Sequence, residues 1–191
     1  MSPSFSAVLL AGGQSSRMGR DKAFLEIDGV PLWSRQIGTL AALHPREIFI
    51  AGPRHAAWIS AGCEIITDAQ ENAGPLAGLV AGLRRCATPL LLALGVDLPC
   101  MSAHYLRALL TRCEPGRGRV PLTDRLEPLA AVYPSAVLAL AEEQLAGGEY
   151  SLQHFADRCI AAELLLREPV SPADLLLFHN VNTPADFQKM R

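Results

Sequence analysis

A chain of 191 residues, half of them apolar and 19% charged, can bury one substantial core and is too apolar to stay disordered. Its formal net charge of −2, with no long basic run, leaves no electrostatic footprint for non-specific nucleic-acid binding. No stretch approaches the roughly 18–20 apolar residues of a membrane span, and the N-terminus lacks the basic and long apolar regions of a signal peptide.

The apolar run Ala7-Val8-Leu9-Leu10 predicts a buried first strand. Gly12 and Gly13 follow at once and let the backbone turn and approach a ligand, since neither carries a Cβ. Three cations, Arg17, Arg20 and Lys22, then come with Gly19 among them. Backbone N–H groups and fixed positive charge in one loop suit a polyphosphate. The loop matches neither the P-loop, which sets its second glycine before Lys and Ser/Thr, nor the G-x-G-x-x-G dinucleotide fingerprint.

Helix spacing over 32–43 (Leu32, Trp33, Gln36, Ile37, Leu40, Leu43) stops before Pro45. A strand over 47–51, a turn at Gly52-Pro53, a short helix over 56–60 and a strand over 64–66 come next. A small-residue helix over 76–86 leads to the most apolar strand, 90–96, and Ser102 is placed to cap a helix running to 111. Beyond it, strands are read over 119–122, 129–133 and 161–166, and helices over 135–145, 151–158 and 184–190, with Gly147-Gly148 ending the first of these helices. Such alternation implies an α/β fold whose mainly parallel sheet carries helices on both faces and binds ligands at the carboxyl ends of its strands. No repeat, linker or low-complexity segment divides the chain, so 1–191 reads as one domain. Five dispersed cysteines, odd in number and without C-x-x-C spacing, favour reduced thiols in a cytoplasm over disulfides or structural zinc.

Three further blocks carry polar residues at strand ends. Asp97, in Gly95-Val96-Asp97-Leu98-Pro99, ends the most apolar strand. It either holds Mg²⁺ beside a nucleotide's phosphates, which needs only one or two protein carboxylates, or shapes the turn before Leu98-Pro99. Asp68 leads into Asn72-Ala73-Gly74-Pro75-Leu76-Ala77-Gly78, where the glycines permit close backbone approach and Pro75 can start a helix; a turn residue or helix cap is the alternative for Asp68. In Asn180-Val181-Asn182-Thr183-Pro184-Ala185-Asp186, Thr183 and Pro184 suit a helix entry. Asn180 and Asn182 there offer amides able to match a polar ring edge.

Taken together, these blocks resemble the nucleotidyltransferase superfamily with a Rossmann-like fold, and within it the molybdenum cofactor guanylyltransferase (MobA) family. The motifs that carry the resemblance are L-A-G-G at Leu10 to Gly13, the strand-D-x-P context of Asp97, G-P-L-A-G from Gly74, and N-V-N-T-P from Asn180. Glu127-Pro128-Leu129-Ala130-Ala131-Val132-Tyr133 is a further family-like stretch, on the acceptor side. The resemblance implies a three-layer αβα sandwich of nucleotide-diphospho-sugar transferase type, with a GTP-binding N-terminal half and an acceptor-binding C-terminal half. It implies Leu10, Ala11, Gly12, Gly13, Arg17, Lys22, Asp68 and Asp97 at the nucleotide, with Arg17, Lys22 and Asp97 catalytic and Mg²⁺ on Asp97. Gly74, Pro75, Gly78, Asn180 and Asn182 fall to the acceptor.

The activity so implied is Mg²⁺-dependent transfer of GMP from GTP to the phosphate of molybdopterin, or of its molybdenum-loaded form, with release of pyrophosphate. Molybdoenzymes or their chaperones are implied partners, in the cytoplasm. A cytidylyl- or sugar-phosphate nucleotidyltransferase of the same fold, and a non-catalytic nucleotide-binding or cofactor-delivery protein, remain as alternatives. Two departures stand out. Ala51-Gly52-Pro53 replaces asparagines at the end of the second strand, and Gly148-Glu149-Tyr150 lacks the arginine that relatives place before Ser-Leu. Arg84, Arg85 and Arg125 are the cations that could take over acceptor-phosphate recognition.

Overall fold

The computed structural model describes residues 4–12, 22–60, 62–67, 73–114 and 116–181. Strand β1 (Phe5–Leu10) and strand β6 (Leu90–Gly95) lie side by side and parallel, paired from Phe5↔Leu90 to Leu10↔Gly95. Apart from Ser6, whose hydroxyl donates to Glu47, both are apolar because both faces are buried, as a covered parallel sheet demands. Ala7, Leu9, Leu92 and Leu94 point into one core, and Val8, Leu10, Leu91 and Ala93 into the other.

Strands β4 (Ile48–Ala51) and β5 (Glu64–Ile66) extend the sheet beyond β1, all parallel. Beyond β6 come β8 (Val132–Pro134), β7 (Gly118–Leu122) and β9 (Leu165–Pro169), in the order β5-β4-β1-β6-β8-β7-β9. Only β8 runs against the rest of that sheet. Helices α1 (Leu32–Ala41), α2 (Ala56–Ile59) and α4 (Ala103–Thr111) cover one face through Leu32, Leu40, Trp58 and Leu106. Helices α3 (Gly74–Arg85), α5 (Leu138–Ala146) and α6 (Leu152–Ala161) cover the other through Leu76, Leu79, Ala141 and Phe155. The result is a three-layer αβα sandwich around a mainly parallel sheet. From β1 the chain first builds toward β4 and β5, then returns to add β6 on the other side. That reversal opens a crevice above the carboxyl ends of β1 and β6.

Several elements differ from the sequence reading, each for a local reason. The segment 129–133 is not one strand: Pro128–Ala130 forms a 3₁₀ turn, closed by the Ala130 N–H to Glu127 O bond of 3.1 Å, and β8 starts after it. Pro128 cannot donate to a ladder, and the Tyr133 hydroxyl donates to its carbonyl at 2.8 Å. The strand read over 161–166 lies later, at β9, because α6 runs to Ala161 and closes with Glu163 at φ 58°. Helix 135–145 divides into a 3₁₀ turn, Ser135–Val137, and α5. A hairpin of β2 (Glu26–Ile27) and β3 (Val30–Pro31) went unread; its Asp28-Gly29 turn has both φ values positive, as a two-residue hairpin requires. The 3₁₀ segment Pro172–Phe178 was also unforeseen. The helix expected over 184–190 lies outside the described residues.

Candidate active site

The chain leaves β1 through Ala11 and Gly12, whose N–H groups both donate to Ala51 O at 2.9 Å. The start of the glycine loop is thus bent over the end of β4. Gly52 lies directly beneath it, and a Cβ there would stand 3.2 Å from Gly12 N and 3.2 Å from two ring atoms of Trp58. Gly52, within the Ala51-Gly52-Pro53 stretch, is therefore closely walled by protein in this chain. Trp58 in turn stacks on Phe24, with centroids 5.7 Å apart, and Phe24 meets His55 at 4.0 Å. Phe24 ends the 3₁₀ turn Lys22–Phe24, so this aromatic wall braces the far end of the same loop.

Asp97 stands across the crevice, two residues beyond β6. Three contacts from separate parts of the chain fix its turn. The Val96 N–H donates to Leu10 O at 3.2 Å, and the Val181 N–H donates to Asp97 O at 3.0 Å. From α1, the buried Gln36 side chain donates through Nε2 to Leu98 O. Burial raises the Asp97 carboxyl above the usual carboxylate range, while the positive charge of Lys22 and a backbone N–H of its own turn pull it back down. The charge of Lys22 is thus felt at the Asp97 carboxyl.

Asn180 is tethered beside Asp97 by the adjoining Val181 bond, and its Oδ1 is buried with no hydrogen-bond partner among the described residues. Leu10 and Ala11 are buried while Gly12 is exposed at the crevice. Gly74 starts α3 at φ 65° and is exposed, Pro75 follows it in the first turn, and Gly78 is buried in the helix. Gly13, Arg17, Asp68 and Asn182 lie outside the described residues.

The three arginines proposed for the acceptor phosphate separate by topology. Helix α3 descends from the crevice edge to the opposite edge, where Arg84 pairs with Glu142 at 2.7 Å and Arg85 with Glu64, the first residue of β5, at 2.6 Å. Arg125 instead lies in the loop that follows β7, a strand parallel in direction to β6, and so opens at the same edge as Asp97. It pairs loosely with Glu127, at 3.7 Å.

Three residues packed around Asp97 and its turn were given no such contact by the sequence reading: Gly95, Gln36 and Leu129. A Cβ on Gly95 would lie 2.8 Å from Asp97 Oδ1 and 3.2 Å from Leu129 Cβ. Gln36 carried no signal beyond its place on the inner face of α1. Gly95 did carry one, since a glycine closing a strand often marks close approach of another group.

A partly buried carboxylate such as Asp97 is a hard donor that suits magnesium, an ion that takes few protein ligands when phosphates and water supply the rest. Among the described residues, no group of three or more His, Cys, Asp and Glu could hold a metal by itself.

Comparison with known proteins agrees with this geometry. The model of the MobA-like NTP transferase domain matches residues 7–162. A protein of Opitutus terrae named "Probable molybdenum cofactor guanylyltransferase" is 34% identical over 96% of this chain and 93% of its own length. The "Molybdenum cofactor guanylyltransferase" of Syntrophotalea carbinolica is 31% identical over 97% of this chain and 90% of its own. Among solved structures, molybdopterin-guanine dinucleotide biosynthesis protein A from Archaeoglobus fulgidus superposes with a TM-score of 0.78 at 22% identity, covering 96% of this chain and 95% of that one. A 4-diphosphocytidyl-2C-methyl-D-erythritol synthase from Anaerococcus prevotii gives 0.75 at 11% identity over 98% and 94%, so the fold is shared beyond one nucleotide. This chain belongs to the MobA-like NTP transferase domain family and is a nucleotidyltransferase.

Proposed function

We propose that the chain transfers GMP from GTP to the phosphate of molybdopterin, or of its molybdenum-loaded form, and releases pyrophosphate. The names of its relatives at 30–35% identity support the guanylyl and molybdenum-cofactor parts of this reading. The observation that carries the site is the Val181 N–H to Asp97 carbonyl bond, which ties the main chain beside Asn180 to the main chain of Asp97 at the end of β6. On this reading Lys22 serves the nucleotide side of the site and Asn180 the acceptor side.

Asp97 would hold magnesium, which when bound would supply positive charge against the phosphates. Lys22 adds positive charge on the same side, and Arg17 of the loop is assigned the same role. An acceptor phosphate is already ionised near pH 7, so its oxygen can attack the α-phosphorus in line without a general base. The chain's contribution is alignment and charge placed in advance.

Purified protein incubated with molybdopterin and either GTP or CTP tests this, read as pyrophosphate release. GTP should turn over, and Asp97→Ala should lose at least about 10²-fold in rate. Turnover of CTP with none of GTP would overturn the guanylyl assignment, and near-normal transfer by Asp97→Ala the role given to Asp97. GTP binding without any pyrophosphate release, acceptor present, would favour a non-catalytic carrier.

A further inference from the structure

We infer that Gly95 is a positioning residue: its missing side chain is the space into which the Asp97 carboxylate folds. This rests on the role given to Asp97 above. Gly95 is not needed for its backbone angles, since it is absent from the residues of positive φ. What the site requires is room. A Cβ at 95 would come within 2.8 Å of Asp97 Oδ1, closer than such carbons approach other atoms.

On the opposite side the same Cβ would meet Leu129 at Cβ, 3.2 Å, and Cδ1, 3.4 Å. Leu129 cannot easily yield. Its 3₁₀ turn is closed by the Ala130 N–H to Glu127 O bond and pinned by the Tyr133 hydroxyl on Pro128 O. The Asp97 backbone is equally fixed, through its own carbonyl and that of Leu98. The one member free to move is the Asp97 side chain. A methyl group at 95 would therefore turn the carboxylate away by several tenths of an ångström, comparable to the roughly 0.5 Å tolerance of a working site. Gly95 thus sits at the seam between the nucleotide-side carboxylate and the acceptor-side segment 127–133, and touches both.

The test compares wild type, Gly95→Ala, Asp97→Asn, and Gly95→Ala combined with either Asp97→Asn or Asp97→Ala. GTP binding is measured by calorimetry with and without Mg²⁺, together with thermal midpoints and transfer rates. Gly95→Ala should lose about tenfold or more in transfer rate and lose the gain in GTP affinity that Mg²⁺ gives, with binding in EDTA unchanged. In the Asp97→Asn background it should cost nothing further, and Gly95→Ala/Asp97→Ala should melt at or above Gly95→Ala, since the conflict with the carboxylate is gone. Wild-type Mg²⁺ dependence in Gly95→Ala beside a defective Asp97→Asn overturns the inference. So do additive losses, or a collapse in thermal midpoint that Asp97→Ala fails to relieve, because these assign Gly95 to general packing. Wild-type behaviour of Asp97→Asn instead overturns the reading of Asp97, whatever Gly95 does.

Discussion

Glu127 is a carboxylate kept almost wholly from water, 7% exposed, in the loop beside Leu129. Burial raises its carboxyl above the usual glutamate value, against the Thr123 hydroxyl that donates to it at 2.8 Å and the charge of Arg125. A raised value in the folded state means that the native protein still holds a proton the unfolded chain has released. Wild type must therefore lose stability as pH rises from the ordinary value of 4.5 through the raised one. Glu127→Gln does not titrate and keeps an acceptor for Thr123. It is expected to melt above wild type at pH 7, with the gap closing as pH falls toward the ordinary value; equal midpoints throughout would refute this. Single residues were legible in proportion to how far their chemistry shows in one dimension. Asp97 and Lys22 announce themselves through charge at a strand end and in a glycine loop. Gln36 does not, because a buried amide on the inner face of a helix obeys the same periodicity as the leucines around it, and its partner, Leu98 O, is 62 positions away.

At the level of elements, β7 and β8 show what the chain order concealed. Their pairing brings Arg119 opposite Val132, and Gly118, at the start of β7, runs so close that a Cβ would stand 1.9 Å from Val132 O and 2.9 Å from Leu165 Cδ2. Backbone cannot give way as a side chain can. Gly118→Ala is therefore expected to cost about 4 kcal/mol or more and to lower the thermal midpoint on the order of 10 °C, measured by calorimetry; a loss below about 1 kcal/mol would contradict this pairing. The parallel strands β1, β4, β5 and β6 were legible because burial on both faces leaves an apolar run that turns bound on each side. Segments 128–134 and 161–169 were not, since their strand limits depend on a 3₁₀ turn and a left-handed helix end that hydropathy does not encode. The Asp28-Gly29 hairpin had a readable turn but strands of only two residues, too short for any period to register.

For the whole molecule, the order β5-β4-β1-β6 reverses the winding between β1 and β6, the point at which sheets of this kind commonly bind ligands. Within the described residues no helix is long and apolar enough to cross a membrane. The sheet alone does not select a base, for a structure with a cytidylyl name superposes nearly as well as one with a guanine name. The Val181 N–H, bound to Asp97 O and 1% exposed, has one more consequence. Its amide hydrogen can exchange with solvent when Val181 lifts from the aspartate or when the whole protein unfolds, so exchange ahead of the core strands gauges the local lifting. In deuterated buffer the Val181 amide should exchange faster than the amides of β1 and β6, and slow when nucleotide and Mg²⁺ occupy the crevice. An amide that never exchanges ahead of those strands would mean that the tail is welded to the sheet and opens only when the protein does.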